Sequence, residues 1–286
     1  MYDLTKTHDY FIGIDSDGCI FDTMEIKQKE CFTPCTILYW NLQGVSKYAR
    51  EACEFVNLYS QSRGANRFLT LIEELDRLAE RAEVTARGVR VEVPAALREW
   101  VGREKKLGNP ALIAEVERTQ HPDMVKTLQW SERINVMIEE MVFGIPPFPF
   151  VRESLEAMRG RADVLCVSQT PNEALIREWE EHDLRKYVTE ICGQEFGTKT
   201  EVMGNAAKYA PNHALMIGDA PGDYQAATKN RALYFPINPG AEEASWERFY
   251  KEGLAKFFDG TFAGEYQDSL VEEFNTYLPS EPPWKK

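Results

Sequence analysis

The run Phe11-Ile12-Gly13-Ile14-Asp15-Ser16-Asp17-Gly18-Cys19-Ile20-Phe21-Asp22 decides how this chain is read. A short β-favouring stretch leads into a polar, glycine-containing cluster and stops there. Such a pattern predicts a buried strand over residues 9–14 whose tip carries Asp15 and Asp17. Comparable stretches recur downstream at 163–167, 188–192, 213–217 and 232–236. Helical spacing separates them at 150–158, 172–182, 200–209 and 223–229. Strands alternating with helices predict a parallel sheet with right-handed crossovers.

Between the first strand and the rest, residues 23–144 have a different texture. Asn66 is a candidate N-cap for a helix over 67–83 that gathers Phe68, Leu71, Ile72, Leu75, Leu78 and Ala79 on one face. Pro94 suits the first turn of a helix carrying Leu97, Trp100 and Val101, and Asn109-Pro110 opens another. A further helix is expected over 122–143. Residues 89–93 are the one strand candidate, and Thr33-Pro34 argues against a continuous helix between Cys31 and Cys35. Trp100, Trp130, Met137 and Met141 read as core. The proline-rich joint at 144–149 closes the segment. The expected fold class is therefore α/β, a Rossmann-like parallel-sheet core with an inserted all-helical domain. The core is discontinuous, comprising 1–22 and 145–286 with a C-terminal helical extension around Trp246, Phe249 and Phe257; the insert is 23–144. Two covalent joints are expected to link them, and the last residues, 279–286, to be loose.

Charge narrows the partners. Lys and Arg number 33 against 46 Asp and Glu, a formal net charge of −13. Such a chain is a poor binder of nucleic acid or of an anionic membrane. A small phosphorylated ligand stays open, because a metal ion or a few basic groups reverse the field locally. The six cysteines form no CxxC pair and read as buried, reduced thiols of a cytoplasmic protein. The polar N-terminus is unlike a signal peptide, and the apolar stretch 141–151 is too short and proline-rich to span a bilayer, so a soluble protein is expected. The four histidines show no metal spacing.

Asp15, Asp17, Ser168, Lys199, Asp219 and Asp223 all fall at or just beyond predicted strand ends. Asp and Ser are common in turns for purely local reasons. In an open parallel sheet, however, the carboxyl ends of the strands line one crevice, so these groups are expected to converge.

With these residues in place, the chain resembles the haloacid dehalogenase superfamily. Residues 11–22 resemble its first motif, an apolar strand followed by DxDG. Val164-Leu165-Cys166-Val167-Ser168 resembles the second, Lys199 the third, and Leu215-Met216-Ile217-Gly218-Asp219-Ala220-Pro221-Gly222-Asp223 the fourth. The insert's position between motifs one and two corresponds to that family's helical cap. Two details depart from the pattern: Cys19 after DxDG, and Gln169-Thr170-Pro171 after Ser168.

The resemblance implies a Mg²⁺-dependent phosphatase acting on a small phosphorylated metabolite through an aspartyl-phosphate. Asp15 would be the nucleophile and Asp17 the acid and base. Mg²⁺ would be held by Asp15, the Asp17 carbonyl and Asp219, with Asp223 acting directly or through water. Ser168, Lys199 and the backbone N–H groups of Gly18 and Gln169 would hold the phosphoryl oxygens. The dehalogenase and phosphonatase branches lack an acid at the position of Asp17, which favours phosphate-ester chemistry. A phosphomutase acting on a sugar phosphate shares all four motifs and is the alternative; a catalytically silent binding module is a third reading. In the insert, Arg63, Asn66 and Arg67 lie in a polar turn that could read the substrate. The competing reading is a solvated loop in which Asn66 merely caps a helix.

Overall fold

The computed structural model describes residues 2–285. Among them, five strands form one parallel sheet in the order β3-β2-β1-β4-β5. They are β1 (Tyr10–Ile14), β2 (Ala162–Val167), β3 (Glu190–Cys192), β4 (Ala214–Gly218) and β5 (Leu233–Pro236). The register pairs Ile14 with Cys166 on one side and with Ile217 on the other. β1 is thus central. The chain crosses from β3 on one side of it to β4 on the other, so the strand order reverses between β1 and β4. At such a point the connections leave the sheet in opposite directions and open a crevice at the carboxyl ends.

Side-chain alternation explains why these strands are apolar throughout. Ile12, Ile14, Val164, Cys166, Leu215, Ile217 and Phe235 enter one core. Phe11, Leu165, Val167, Met216 and Tyr234 enter the other. Both faces are covered, and both residue sets must therefore be hydrophobic. Val151–Met158 and Asn172–Glu181 supply Leu155 and Trp179 to the first core; Lys199–Met203 and Pro221–Lys229 supply Val202 and Ala226 to the second.

The C-terminal extension belongs to this packing. Trp246, Phe249 and Phe257 lie in the first core, with Phe249 edge-on to Phe235 at 4.8 Å. The helix Glu265–Tyr277 runs beside β5, and Gln267 Oε1 accepts a hydrogen bond from the Tyr234 N–H at 2.9 Å. A side-chain acceptor thereby occupies a backbone donor on the edge strand, which would otherwise be open to pairing.

The described chain divides into two compact units. One comprises residues up to Met24 together with Gly144–Pro279; the other comprises Glu25–Phe143 and the segment from Ser280 onward. The terminal segment corrects the expectation of a loose tail and of two joints. Lys285 pairs with Glu80 at 2.8 Å, the Trp284 ring meets Phe55, and the Arg81 guanidinium lies 4.5 Å from the Trp284 ring centre. The chain therefore passes from one unit to the other a third time, between Pro279 and Ser280.

Helices build the second unit. Ser46–Leu58 and Arg67–Ala79 pair, and Phe68 packs edge-on to Trp100 at 5.3 Å. Trp100 and Trp130 are buried as expected, whereas Met141 is 44% exposed. Residues 89–93 form no strand: the apolar valines there have no neighbouring strand with which to share hydrogen bonds. The helix from Arg67 ends at Ala79, short of 83, and the one after Thr198 ends at Met203 before a 3₁₀ turn. Thr33-Pro34 does not break its helix. A π turn over Lys27–Phe32 precedes Thr33–Tyr39, and the wider turn takes up the place where proline lacks an N–H.

Candidate active site

Asp15 follows the last residue of β1, and its N–H still donates to the Ile217 carbonyl at 3.0 Å. The carboxylate is therefore fixed by the sheet itself. The Ser16 N–H donates to Asp15 Oδ1 at 2.8 Å, and Lys199 Nζ donates to Oδ2 at 2.6 Å. Lys199 is the first residue of its helix, capped by Thr198, and it also reaches Asp223 Oδ1 at 2.7 Å. Asp223 Oδ2 accepts from the Ala220 N–H at 3.1 Å, which closes the start of the helix Pro221–Lys229. The carboxylate lies directly against the end of β4: a Cβ at Gly218 would stand 2.4 Å from Asp223 Cγ. Glycine is required there by close approach.

Asp15, Asp219 and Asp223 are all buried, and each offers an oxygen within 4.8 Å of the others. Burial pushes the Asp15 carboxyl up to about 6, with Lys199 opposing and Asp219 adding to the rise. Burial likewise pushes Asp223 up to about 6 against the same lysine. Burial alone would lower the Lys199 ammonium, but Asp15, Asp223 and Asp219 overcome it and hold the group protonated well above the ordinary lysine range. Asp15 and Asp223 share the Lys199 ammonium, and Asp219 lies in the same buried cluster. A hard, all-oxygen set of this kind, short of positive charge, fits a divalent cation such as Mg²⁺.

The loop after Asp15 is a tight turn. The Ser16 carbonyl accepts from the N–H groups of Cys19 and Ile20 at 3.2 and 2.8 Å, and the Gly18 N–H donates to the Phe21 carbonyl at 2.9 Å. Gly18 takes φ 73°, where a side chain would be strained. Asp17 projects from this turn. Thr170 Oγ1 donates to its Oδ2 at 2.6 Å, and the Thr23 hydroxyl to its Oδ1. Ser168 follows β2 and is buried; its N–H donates to the Cys192 carbonyl and its Oγ accepts from the Thr170 N–H at 3.2 Å. Gln169 turns its amide to the carbonyls of Ser168 and Gly197.

Sequence reasoning did not identify Thr23 or Thr170 as partners of Asp17. Thr170 lies inside the departure noted after Ser168, so the signal was present without a role attached to it. Thr23 carried no signal, since a threonine at a helix start is ordinary.

The residues singled out in the helical unit are placed differently. Arg63 is 2% exposed, and its guanidinium donates to the Leu58 carbonyl at 2.9 Å. Arg67 donates to Ser131 Oγ at 3.0 Å and Asn135 Oδ1 at 2.8 Å, and its guanidinium lies 5.0 Å from the Phe32 ring centre. Burial lowers the Arg67 pKa to about 10. Asn66 caps its helix by accepting from the Phe68 N–H at 3.0 Å, and it donates to the Leu107 carbonyl. The turn is only partly solvated: Ser60 and Arg63 are buried, whereas Gln61, Gly64 and Ala65 are exposed.

No family model matches the chain, and no curated protein matches it. Solved structures do. A protein provisionally named a phosphoglycolate phosphatase, from Lactobacillus delbrueckii subsp. bulgaricus, is 14% identical with a TM-score of 0.50, over 87% of this chain and 98% of that one. A provisionally named β-phosphoglucomutase from Thermotoga maritima is 15% identical at TM-score 0.38, over 79% and 84%. A HAD-superfamily hydrolase of subfamily IA from Geobacter sulfurreducens is 13% identical at TM-score 0.41, over 79% and 86%. The chain shares its fold with the Lactobacillus delbrueckii structure. Among the described residues, no helix is long and apolar enough to cross a membrane.

Proposed function

We propose that the chain is a Mg²⁺-dependent phosphatase of a small phosphorylated metabolite, working through an aspartyl-phosphate on Asp15. One observation carries this reading: Lys199 bridges Asp15 and Asp223 within a buried acidic cluster, beside a second aspartate, Asp17, held by two hydroxyls. A phosphate monoester is slow to react because its anionic oxygens repel a nucleophile. Asp15 attacks phosphorus and the bond from phosphorus to the ester oxygen breaks. Asp17 gives its proton to that oxygen. It then takes a proton from the water that attacks the aspartyl-phosphate, and Asp15 is regenerated.

The hydroxyl partners suit this cycle. A hydroxyl donates to a carboxylate and accepts from a carboxylic acid, so Thr23 and Thr170 serve both protonation states of Asp17. Lys199, Ser168 and the Gln169 N–H would hold the phosphoryl oxygens; the Gly18 N–H, also expected there, is instead given to the Phe21 carbonyl at 2.9 Å. Asp15, Asp219 and Asp223 would hold Mg²⁺, with the Asp17 carbonyl implied by the family resemblance. When bound, the cation supplies the positive charge that offsets the phosphate and the carboxylates.

The phosphatase name given to the structure with the shared fold agrees with phosphate-ester chemistry. Six buried, unpaired cysteines suit a reducing cytoplasm. Arg63, Asn66 and Arg67 remain our candidates for reading the substrate from the helical unit. The test is release of inorganic phosphate from an aryl phosphate with Mg²⁺ and with excess chelator, for the native protein and Asp15→Asn. Turnover only in the native protein with Mg²⁺ supports the reading. Turnover that persists in chelator, or in pure Asp15→Asn, overturns it. Transfer of phosphate to a second sugar hydroxyl, rather than to water, would assign the mutase alternative.

A further inference from the structure

The turn that carries Asp17 is held from outside by two indoles. Trp179 Nε1 donates to Ser16 Oγ at 3.0 Å, and Ser16 Oγ in turn reaches Glu178 Oε2 at 3.3 Å. Trp246 Nε1 donates to the Cys19 carbonyl at 2.7 Å, across 227 residues of sequence. Trp179, Trp246 and Cys19 are all fully buried.

We infer that Trp246, in the C-terminal extension, is a positioning residue for the acid–base Asp17: its indole N–H fixes the Cys19 peptide and thereby the turn from which Asp17 projects. This inference rests on the acid–base role proposed for Asp17.

A buried carbonyl needs a donor, and the ladder of the sheet has ended before Cys19. The peptide group that carries this carbonyl also carries the Ile20 N–H, which closes the turn onto the Ser16 carbonyl at 2.8 Å, so rotation of that peptide disturbs the closure. Gly18, between Asp17 and Cys19, has no side chain to resist the change. Asp15 is insulated by comparison. It is fixed by its N–H to β4, by the Ser16 N–H and by Lys199. Loss of the indole donor should therefore move the acid and spare the nucleophile.

That asymmetry makes a specific kinetic signature. An aryl phosphate has a good leaving group and needs little protonation; an alkyl phosphate needs the acid. The test uses Trp246→Phe and, to keep the shape of the side chain, a full-length protein with benzothienylalanine at position 246, in which sulfur replaces the indole N–H. Both variants are expected to lower kcat on an alkyl phosphate about tenfold, and on an aryl phosphate by less than about threefold, with KM little changed. Amide hydrogen exchange should speed up in the turn after Asp15 and stay unchanged in β2.

Equal losses on both substrates would overturn the inference and leave Trp246 a packing residue. Unchanged exchange in the turn would overturn it whatever the kinetics. Asp17→Asn separates this from the parent reading. If that variant shows no dependence on leaving group, the acid role of Asp17 fails, while the exchange result still decides whether Trp246 holds the turn.

Discussion

Two polar clusters stand out in the sequence, and the structure treats them in opposite ways. At the carboxyl end of the sheet, Asp15, Lys199, Asp219 and Asp223 come from three separate stretches of chain and leave an excess of buried negative charge. In the helical unit, Arg63, Asn66 and Arg67 lie within five residues of one another and make hydrogen bonds to carbonyls and side chains of their own unit. In the first cluster, burial raises the Asp15 and Asp223 carboxyls even with Lys199 bonded to both. In the second, the described hydrogen bonds serve the packing of the unit. Polar character is common to both clusters; what sets the first apart is that several carboxylates from separate segments are buried together.

The largest expected effect comes from Asp15→Asn. It removes the nucleophile and should cut aryl phosphate turnover on the order of a thousandfold or more, measured by phosphate release, without loss of the folded state. A variant that kept its activity would erase the contrast between the clusters.

Asp219→Ala and Asp223→Ala divide the charged cluster further. Asp219 is expected to matter most for the metal, so its loss should raise the Mg²⁺ concentration for half-maximal activity more than loss of Asp223 does. Asp223 also holds Lys199 and the Ala220 N–H. Its loss should therefore cost stability as well, about 1–3 kcal/mol for the buried donors left behind, read by denaturant titration. Equal Mg²⁺ responses would mean that the two carboxylates share the cation evenly.

Arg67→Ala probes the other cluster. Removing a guanidinium that bonds Ser131 and Asn135 and covers Phe32 should destabilise the helical unit by about 1–3 kcal/mol. Aryl phosphate turnover should stay within about threefold. A substrate-reading role would appear as an added fall in kcat/KM on the natural substrate that the aryl phosphate does not share.

The smallest effect concerns a buried carboxyl in the helical unit that lies outside both clusters. Glu74 accepts from Asn57 Nδ2 at 2.5 Å and from the Cys53 thiol at 3.1 Å, and burial pushes its carboxyl up to about 7, above the ordinary glutamate range. The folded value lies above the unfolded one, so the folded unit binds the proton more tightly. The resulting stability is full below about pH 4.5 and is lost as pH rises through about 7. Glu74→Gln cannot ionise, and its melting temperature should vary less than the native one across that window. Parallel curves would show that Glu74 does not titrate there.

Much of the fold was legible because periodicity is local. The runs ending at Asp15 and Asp219 are apolar on both faces, as strands buried on both sides must be, and the intervening helices carry their own spacing. The motif residues were legible for a related reason: each sits where an apolar run stops, and a parallel sheet sends all such ends to one side. The misread elements are those in which a local signal met a tertiary one. Pro34 should stop a helix, yet a π turn absorbs it; residues 89–93 have strand composition but no partner strand.

What the sequence determined by itself was the class of fold and the acidic set, since both follow from short-range order repeated along the chain. The tertiary structure alone decided which partners those groups have. That Thr170 holds Asp17, that Lys199 lies between Asp15 and Asp223, that Trp246 reaches Cys19, and that Arg63 points inward all depend on segments far apart in sequence or on the direction a side chain takes when its surroundings are packed. Hydrogen bonds of this kind act over about 3 Å, and only the folded chain brings their atoms that close.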